Sequence, residues 1–323
     1  MDIISKEQQF LNVINNILSD NSYLGDDCAY LQELGIYVTH DSLVEGVHFL
    51  LSTTDAYNLG RKAASVNLSD LAAAGAKPLY LTISLSCNDS VDVLFVEDFY
   101  KGINDVCSEF DVKVVGGDIT GADSVFISIC AIGKEVCKTK VSRANARKGD
   151  VVFVTGPHGD SAGGLKLLMN GDKSCEYLIK KHLNPVAQLR KSREIMQISQ
   201  QDFAMIDSSD GLGDALFKIS EAAGVTLDID FEAVPVSDEL KKYYSKEWES
   251  LVLWGGEDFE LVGCISEQDY KKLDKNHFFK IGRVVERIAD KPVIIHWKDN
   301  ECIINNKLFS KKSFNHFKGN NNG

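Results

Sequence analysis

The feature that most constrains this chain is a repeated switch between two periods. Leu79, Leu81, Ile83 and Leu85 recur at every second residue. That is the spacing of a strand with one buried face. The segment just before it, Tyr57 to Gly75, is rich in Ala and Leu, and Gly75 stands where a helix C-cap is expected. The same patterns predict helices over Glu7–Leu18 and Val91–Phe110, and strands over Gly35–His40, Val112–Val115 and Val125–Ile132. A short basic, polar stretch follows, Lys138 to Asp150, with Arg143, Arg147 and Lys148. The alternation then resumes. A strand at Val151–Thr155 leads through a glycine-rich turn, Gly156–Gly164, into a helix ending at Met169. A strand at Gln201–Ile206 precedes a helix at Gly211–Ala223. Later strands are predicted at Leu227–Phe231, Leu251–Trp254 and Phe259–Cys264. Such alternation predicts an α/β or α+β architecture. The 323 residues suffice for two domains. The predicted division is 1–137, a connection at 138–150, a second domain at 151–317, and a frayed tail at 318–323.

Several classes are excluded at this stage. No apolar run approaches the ~20 residues that span a bilayer. No basic segment followed by an apolar one opens the chain, so no signal peptide is expected. The eight cysteines form no C-x-x-C pair and sit mostly in apolar segments, the pattern of reduced thiols in a cytoplasmic protein. A cysteine-built zinc site is not expected. The net charge of −12 argues against nucleic acid or an anionic membrane as partner.

The acids are informative by position. Asp26 and Asp27 follow Gly25. Asp41 follows the strand Gly35–His40. Asp118 follows Val114-Val-Gly-Gly117. Asp207 and Asp210 frame Asp207-Ser-Ser-Asp210 after the strand Gln201–Ile206. Strand-end loops are where α/β proteins place binding groups. Taken singly, Asp26, Asp118 and Asp207 fit turn or cap roles. Asp70 does not, because it sits beside Leu68, Leu71 and an alanine run. Carboxylates gathered from several elements repel one another unless cations fill the space between them. With Thr and Ser oxygens nearby, they suit Mg²⁺, which commonly bridges carboxylates to substrate phosphates.

Three glycine turns stand out: Gly156–Gly164, Gly116-Gly117-Asp118 and Gly255-Gly256-Glu257. The first matches neither the P-loop nor the dinucleotide fingerprint. It could present amides to phosphate, or be a tight turn with Asp160 or Ser161 as N-cap. No Ser/His/Asp order and no H-E-x-x-H motif is present.

In order, seven segments resemble the thiamine-monophosphate kinase family, of the aminoimidazole-ribonucleotide-synthetase-like superfamily. They are Gly25–Ala29, Thr39–Phe49, Val66–Pro78, Val115–Asp118, Lys148–Gly156, Asp207–Leu212 and Gly255–Glu260. The resemblance implies a two-domain α/β and α+β fold whose N-terminal sheet forms a homodimer interface. It implies phosphorylation of thiamine monophosphate by ATP to thiamine diphosphate. It further implies that Asp27, Thr39, His40, Asp41, Asp70, Asp118, Asp207 and Asp210 hold several Mg²⁺ ions. Tyr100, Gly117, Asp118, Arg143 and Ser209 would surround the ATP. His48, Glu257 and Phe314 would face thiamine monophosphate, and Asp70, Asp118, Asp207 and Asp210 would carry the catalysis. His40 stands where many relatives carry Thr, and imidazole does not copy a hydroxyl. Two other readings are another ATP-dependent synthetase of the superfamily and a non-catalytic nucleotide-binding homologue. The first lacks support, since neither a Cys-Gly-rich selenium loop nor an Asp-Gly-Val-Gly-Thr-Lys segment is present.

Overall fold

A computed structural model describes residues 6–316. The first part runs α1 (Lys6–Ile17), β1 (Ala29–Leu31), β2 (Ile36–Val44), α2 (Ala56–Ala73), β3 (Lys77–Cys87), α3 (Val93–Glu109), β4 (Lys113–Gly121) and β5 (Phe126–Lys134). A 3₁₀ turn at Arg143–Asn145 follows. The second part runs β6 (Val151–Val154), α4 (Asp160–Met169), α5 (Glu176–Leu183), α6 (Leu189–Ile198), β7 (Ala204–Asp207), α7 (Leu212–Ala223) and β8 (Thr226–Asp230). It continues with α8 (Asp238–Tyr243), α9 (Trp248–Trp254), β9 (Leu261–Ile265), α10 (Glu267–Tyr270), β10 (Phe279–Val285), β11 (Val293–Trp297), β12 (Asn300–Ile304) and α11 (Asn306–Lys312).

Two sheets result. One has the order β1-β2-β5-β3-β4, and the other β12-β11-β8-β10-β6-β9-β7. In the first, every pairing is antiparallel except β3 with β4. Alternation sends Leu43, Leu81, Ile83, Leu85, Ile127 and Ile129 inward, where all are buried. They face α2, which also touches α6 and β7 of the second part. This helix is therefore central to the molecule.

Local chemistry fixes both ends of α2. The Asp55 carboxylate accepts the Asn58 N–H at 2.7 Å and caps the start. Past the other end, Gly75 adopts φ +68°, and a Cβ there would stand 2.5 Å from Met196 Sδ. Only glycine satisfies both conditions. Where α3 crosses α2, a Cβ on Gly60 would stand 2.0 Å from the Phe99 carbonyl oxygen, so the two backbones touch.

Three sequence expectations need correction. Asp41 lies within β2, which continues to Val44. Gly116, Gly117 and Asp118 are not a turn, because β4 runs through them as an edge strand hydrogen-bonded to β3. Leu251–Trp254 is the last turn of helix α9, closed by the Gly255 N–H donating to the Leu251 carbonyl at 2.8 Å. A four-residue apolar run does not distinguish strand from helix, and packing on α4 and α7 decides it. The predicted tail at 318–323 lies outside the described residues.

Candidate functional site

The site forms where α2 passes between β2 and the β7–α7 turn. Asp27, from the loop before β1, meets Asp70 of α2 and Asp207, the last residue of β7. One carboxylate oxygen of each lies within 4.8 Å of the others. Hydroxyls orient the group. Thr39 of β2 donates to Asp70 at 2.5 Å, and Ser69 donates to Asp207 at 2.5 Å. Asp41, two residues along β2 from Thr39, shares that inward face, and its N–H donates to the Asn67 side chain at 3.1 Å.

Burial and mutual repulsion set the protonation of this cage. Burial raises Asp70 well above the usual carboxylate range, and Asp207, Asp41 and Asp27 raise it further. Burial, then Asp27, pushes Asp207 up to about 8, although the Ser69 hydroxyl pulls it back. Asp41 is raised by burial and then by Asp27. Asp27 is raised by burial, with Arg143 offsetting part of the effect. Metal-free, such a cage retains protons. A cation that replaces them is strongly favoured.

The donor set fits a hard divalent cation, since it consists of carboxylate and hydroxyl oxygens. Cys28 is close enough to feel Asp70, but burial raises its thiol well above its ordinary range, so it adds no soft thiolate ligand.

Two positive groups border the cage. Arg143 pairs with Asp27 at 2.7 Å, donates to the Gly25 carbonyl at 3.1 Å, and through its main-chain N–H donates to Asp26 at 2.8 Å. Lys218 of α7 bonds Asp214 at 2.6 Å and reaches Asp210 at 3.3 Å. Among the described residues, Arg143 Nε and Ser208 Oγ are buried without a partner. Both lie next to cage residues in the chain or by direct bond, where a polar ligand would satisfy them.

The other end of α2 carries a second cluster. Lys62 pairs with Glu257 at 2.8 Å, and His182 lies 3.3 Å from the same carboxylate. Burial works to raise Glu257, but Lys62 and then His182 outweigh it and hold the carboxyl below its ordinary range. His48 Nδ1 accepts the Val44 N–H at 3.0 Å. Its ring lies 5.3 Å from that of His316, which Phe314 meets edge-on at 4.8 Å. Burial, then His316, lowers the His48 imidazole, so it stays neutral.

Some expected residues are not brought into the cage. Ser42, Ser128, Ser84 and Asp118 form one row across the outer face of the first sheet. Asp118 is thus on the face opposite Asp41, three strands from β2, roughly 14 Å at ordinary strand spacing. The His40 imidazole also points outward, bonding Ser128 Oγ at 2.6 Å. Gly117 shares this exposed edge strand with Asp118. Tyr100 packs edge-on against Phe99 on α3. The Gly156–Gly164 turn is no phosphate cradle in this chain. Asp258 already accepts its Gly159 and Ser161 N–H groups, at 2.6 and 3.0 Å. This long-range cap replaces the expected caps at Asp160 or Ser161.

Ser69, Lys62, His182 and Lys218 escaped the sequence reading. Lys62 had a visible signal, a lysine inside an alanine-rich buried helix. His182 and Lys218 had none, since their partners are distant in sequence or shared with a surface-like i,i+4 pair.

The cage joins residues of both halves of the chain, and the two halves match the two domains of the AIR synthase-related class. Residues 25–134 match the model of the AIR synthase related protein N-terminal domain, and residues 147–292 match that of the C-terminal domain. The thiamine-monophosphate kinase of Bacillus subtilis is 32% identical over 311 residues, covering 91% of this chain and 93% of the relative. That of Aquifex aeolicus is 36% identical over 277 residues, covering 83% and 88%. The solved structure of AaThiL complexed with AMPPCP and TMP superposes with a TM-score of 0.82 at 31% identity, covering 93% of this chain and 97% of that one. The chain belongs to the thiamine-monophosphate kinase family.

Proposed function

We propose that this chain transfers the γ-phosphoryl group of ATP to thiamine monophosphate, giving ADP and thiamine diphosphate. The carrying observation is the placement of Lys62 and Asp70 eight residues apart on α2, one paired to Glu257 and the other inside the cage. Eight residues span roughly 12 Å of helix. An elongated acceptor can thus rest its ring at one end and its phosphate at the other.

Thiamine monophosphate lies with its rings against His48, Glu257 and Phe314. The acceptor oxygen belongs to a phosphate already ionised at neutral pH, so no general base is required. That agrees with a cage of carboxylates and no histidine. The remaining barrier is repulsion between two polyanions, overcome by positioning and charge neutralisation. Asp27, Thr39, Asp41, Asp70, Asp207 and Asp210 would hold Mg²⁺, to which His40 would offer only its main chain. Bound there, Mg²⁺ supplies charge neutralisation and alignment of the phosphates. Arg143 and Ser209 meet the nucleotide.

We assign Tyr100, Gly117 and Asp118 to the nucleotide and metal sites of a homodimer. All nine residues of β4 are exposed, with Val115 at 56% and Ile119 at 69%. An exposed apolar edge strand calls for cover. The open face of the same sheet, with Asp118, His40 and Ser128, would meet a second copy. We take 138–150 as the connection between the domains, and the pairing of its Arg143 with Asp27 supports a site between them. All eight cysteines are free thiols, which fits the cytoplasm. Among the described residues, no helix is long and apolar enough to cross a membrane.

An ADP-release assay tests the reading. ADP should appear only with thiamine monophosphate present and should stop on chelation of Mg²⁺. Equal release without thiamine monophosphate would refute the acceptor. No release under any condition would favour the non-catalytic reading.

A further inference from the structure

Lys62 lies within α2, 4% exposed, and its ammonium meets both oxygens of Glu257 at 2.8 Å. In the phosphoryl transfer proposed above Lys62 only marks the ring end of the acceptor and has no chemical part. A buried lysine is tolerated only when paired, and here the partner is held with unusual care. Glu257 adopts φ +69°, a region that side-chain-bearing residues rarely occupy. Such a conformation persists where its surroundings over-determine it. Its N–H donates to the Ser209 carbonyl at 2.7 Å, beside the cage. His182 Nδ1 approaches Glu257 Oε2 at 3.3 Å and Ser161 Oγ at 3.1 Å. Burial, then Lys62, pushes His182 down to about 4, so it stands as a neutral ring.

We propose that Lys62 is a positioning residue for acceptor recognition, holding the Glu257 carboxylate in one orientation toward the aminopyrimidine ring of thiamine monophosphate, with His182 closing the other side. This rests on the proposed function. A carboxylate fixed in this way accepts an N–H from the exocyclic amine of the ring and rejects an analogue carrying a carbonyl there, because two acceptors would face each other. The competing role is a strut joining α2 to the loop before β9. A strut affects stability but not the choice between amine and carbonyl.

The test compares steady-state kinetics with thiamine monophosphate and oxythiamine monophosphate, whose exocyclic amine is replaced by oxygen. Lys62→Met should raise KM for thiamine monophosphate about tenfold or more and shrink the amine-over-carbonyl preference by a similar factor. The KM for ATP should stay unchanged. A variant that melts earlier yet keeps the wild-type preference would overturn the proposal. If Lys62→Met does not fold, His182→Gln carries the test: a several-fold shift in the same direction supports the proposal, and an unchanged preference overturns it. Glu257→Gln separates the two levels. If it leaves KM for thiamine monophosphate unchanged while the wild type turns that substrate over, the inference fails and the kinase reading stands. If the wild type does not phosphorylate thiamine monophosphate, both fall.

Discussion

Replacing Asp70 with Asn changes one atom at the centre of the cage and should act in opposite directions on stability and turnover. The Asn side chain keeps an oxygen to accept from Thr39, so the geometry survives. It removes one charge from three carboxylates lying within 4.8 Å of one another. At that distance and an effective dielectric of about 20, two full charges repel by about 3.5 kcal/mol. Protons already retained by Asp70 and Asp207 reduce the relief near neutrality. A net gain of about 1–2 kcal/mol is expected for the metal-free protein, or a Tm rise of a few degrees in a chain of this size. Turnover should move the other way. Losing a charged ligand at the point of charge neutralisation should cost about 10²–10³ in kcat. Scanning calorimetry in EDTA, with and without excess Mg²⁺, reads the first effect, and the ADP-release assay at saturating Mg²⁺ reads the second. Wild-type protein should gain far more Tm from Mg²⁺ than Asp70→Asn does. A variant that melts earlier in EDTA, or keeps kcat within tenfold of wild type, would refute the idea of a strained carboxylate cage that cations relieve.

Three further outcomes follow from the same geometry. Asp27, Asp41, Asp70 and Asp207 all have folded-state pKa values above their unfolded values, Asp207 at about 8. The folded, metal-free protein therefore binds more protons than the unfolded chain. Their stabilisation is full below about pH 4 and fades as pH rises toward 8, so Tm in EDTA should fall between pH 5 and 8.5, and a rising Tm would contradict the assignment. Gly75→Ala meets both a positive φ and Met196 Sδ at 2.5 Å; denaturant titration should show a loss of about 2–4 kcal/mol, with a loss below 0.5 kcal/mol indicating that the turn relaxes freely. Phe314 is 52% exposed and meets His316 edge-on; Phe314→Ala should raise KM for thiamine monophosphate several-fold and leave KM for ATP and Tm near wild type, whereas an equal rise in both KM values would place Phe314 outside the acceptor site.

Much of the cage was legible in the sequence because its members interrupt apolar patterns. Asp70 breaks an alanine-leucine helix, and Asp207 closes a short apolar strand. At Asp70 the interruption carries a cost that local structure does not explain, whereas Asp207 alone fits a turn role and gains weight only beside the other acids. What stayed hidden depends on register. Asp41 and His40 are neighbours in sequence, yet one faces α2 and the other faces outward, because successive strand residues point to opposite faces. Val114 to Asp118 looked like a strand ending in a glycine turn, yet β4 continues because β3 supplies a parallel partner through Gly121. Glycine's local preference lost to a long-range ladder. The caps at Gly159 and Ser161 were hidden for a similar reason: their acceptor, Asp258, is almost a hundred residues away.

The acidic balance of the chain has a local origin. A chain of net charge −12 is a poor receptor for polyphosphates if that charge is spread evenly. Asp26, Asp27, Asp41, Asp70, Asp118, Asp207 and Asp210 supply seven of the negative charges, and −12 + 7 leaves −5, ordinary for a surface. Three of these acids are locked together in the cage, and burial with mutual repulsion keeps it partly protonated. Metal-free, it therefore repels an incoming phosphate less than its formula suggests, while cation binding replaces those protons with fixed positive charge. Phosphate affinity should then depend on the cation concentration far more steeply than on the protein's overall charge. Neutralising exposed surface acids such as Glu97 and Asp98, which already pair with Lys101, should leave the KM for ATP unchanged, whereas Asp27→Asn should raise it. Equal effects from the two changes would mean that net charge, not the cage, governs access.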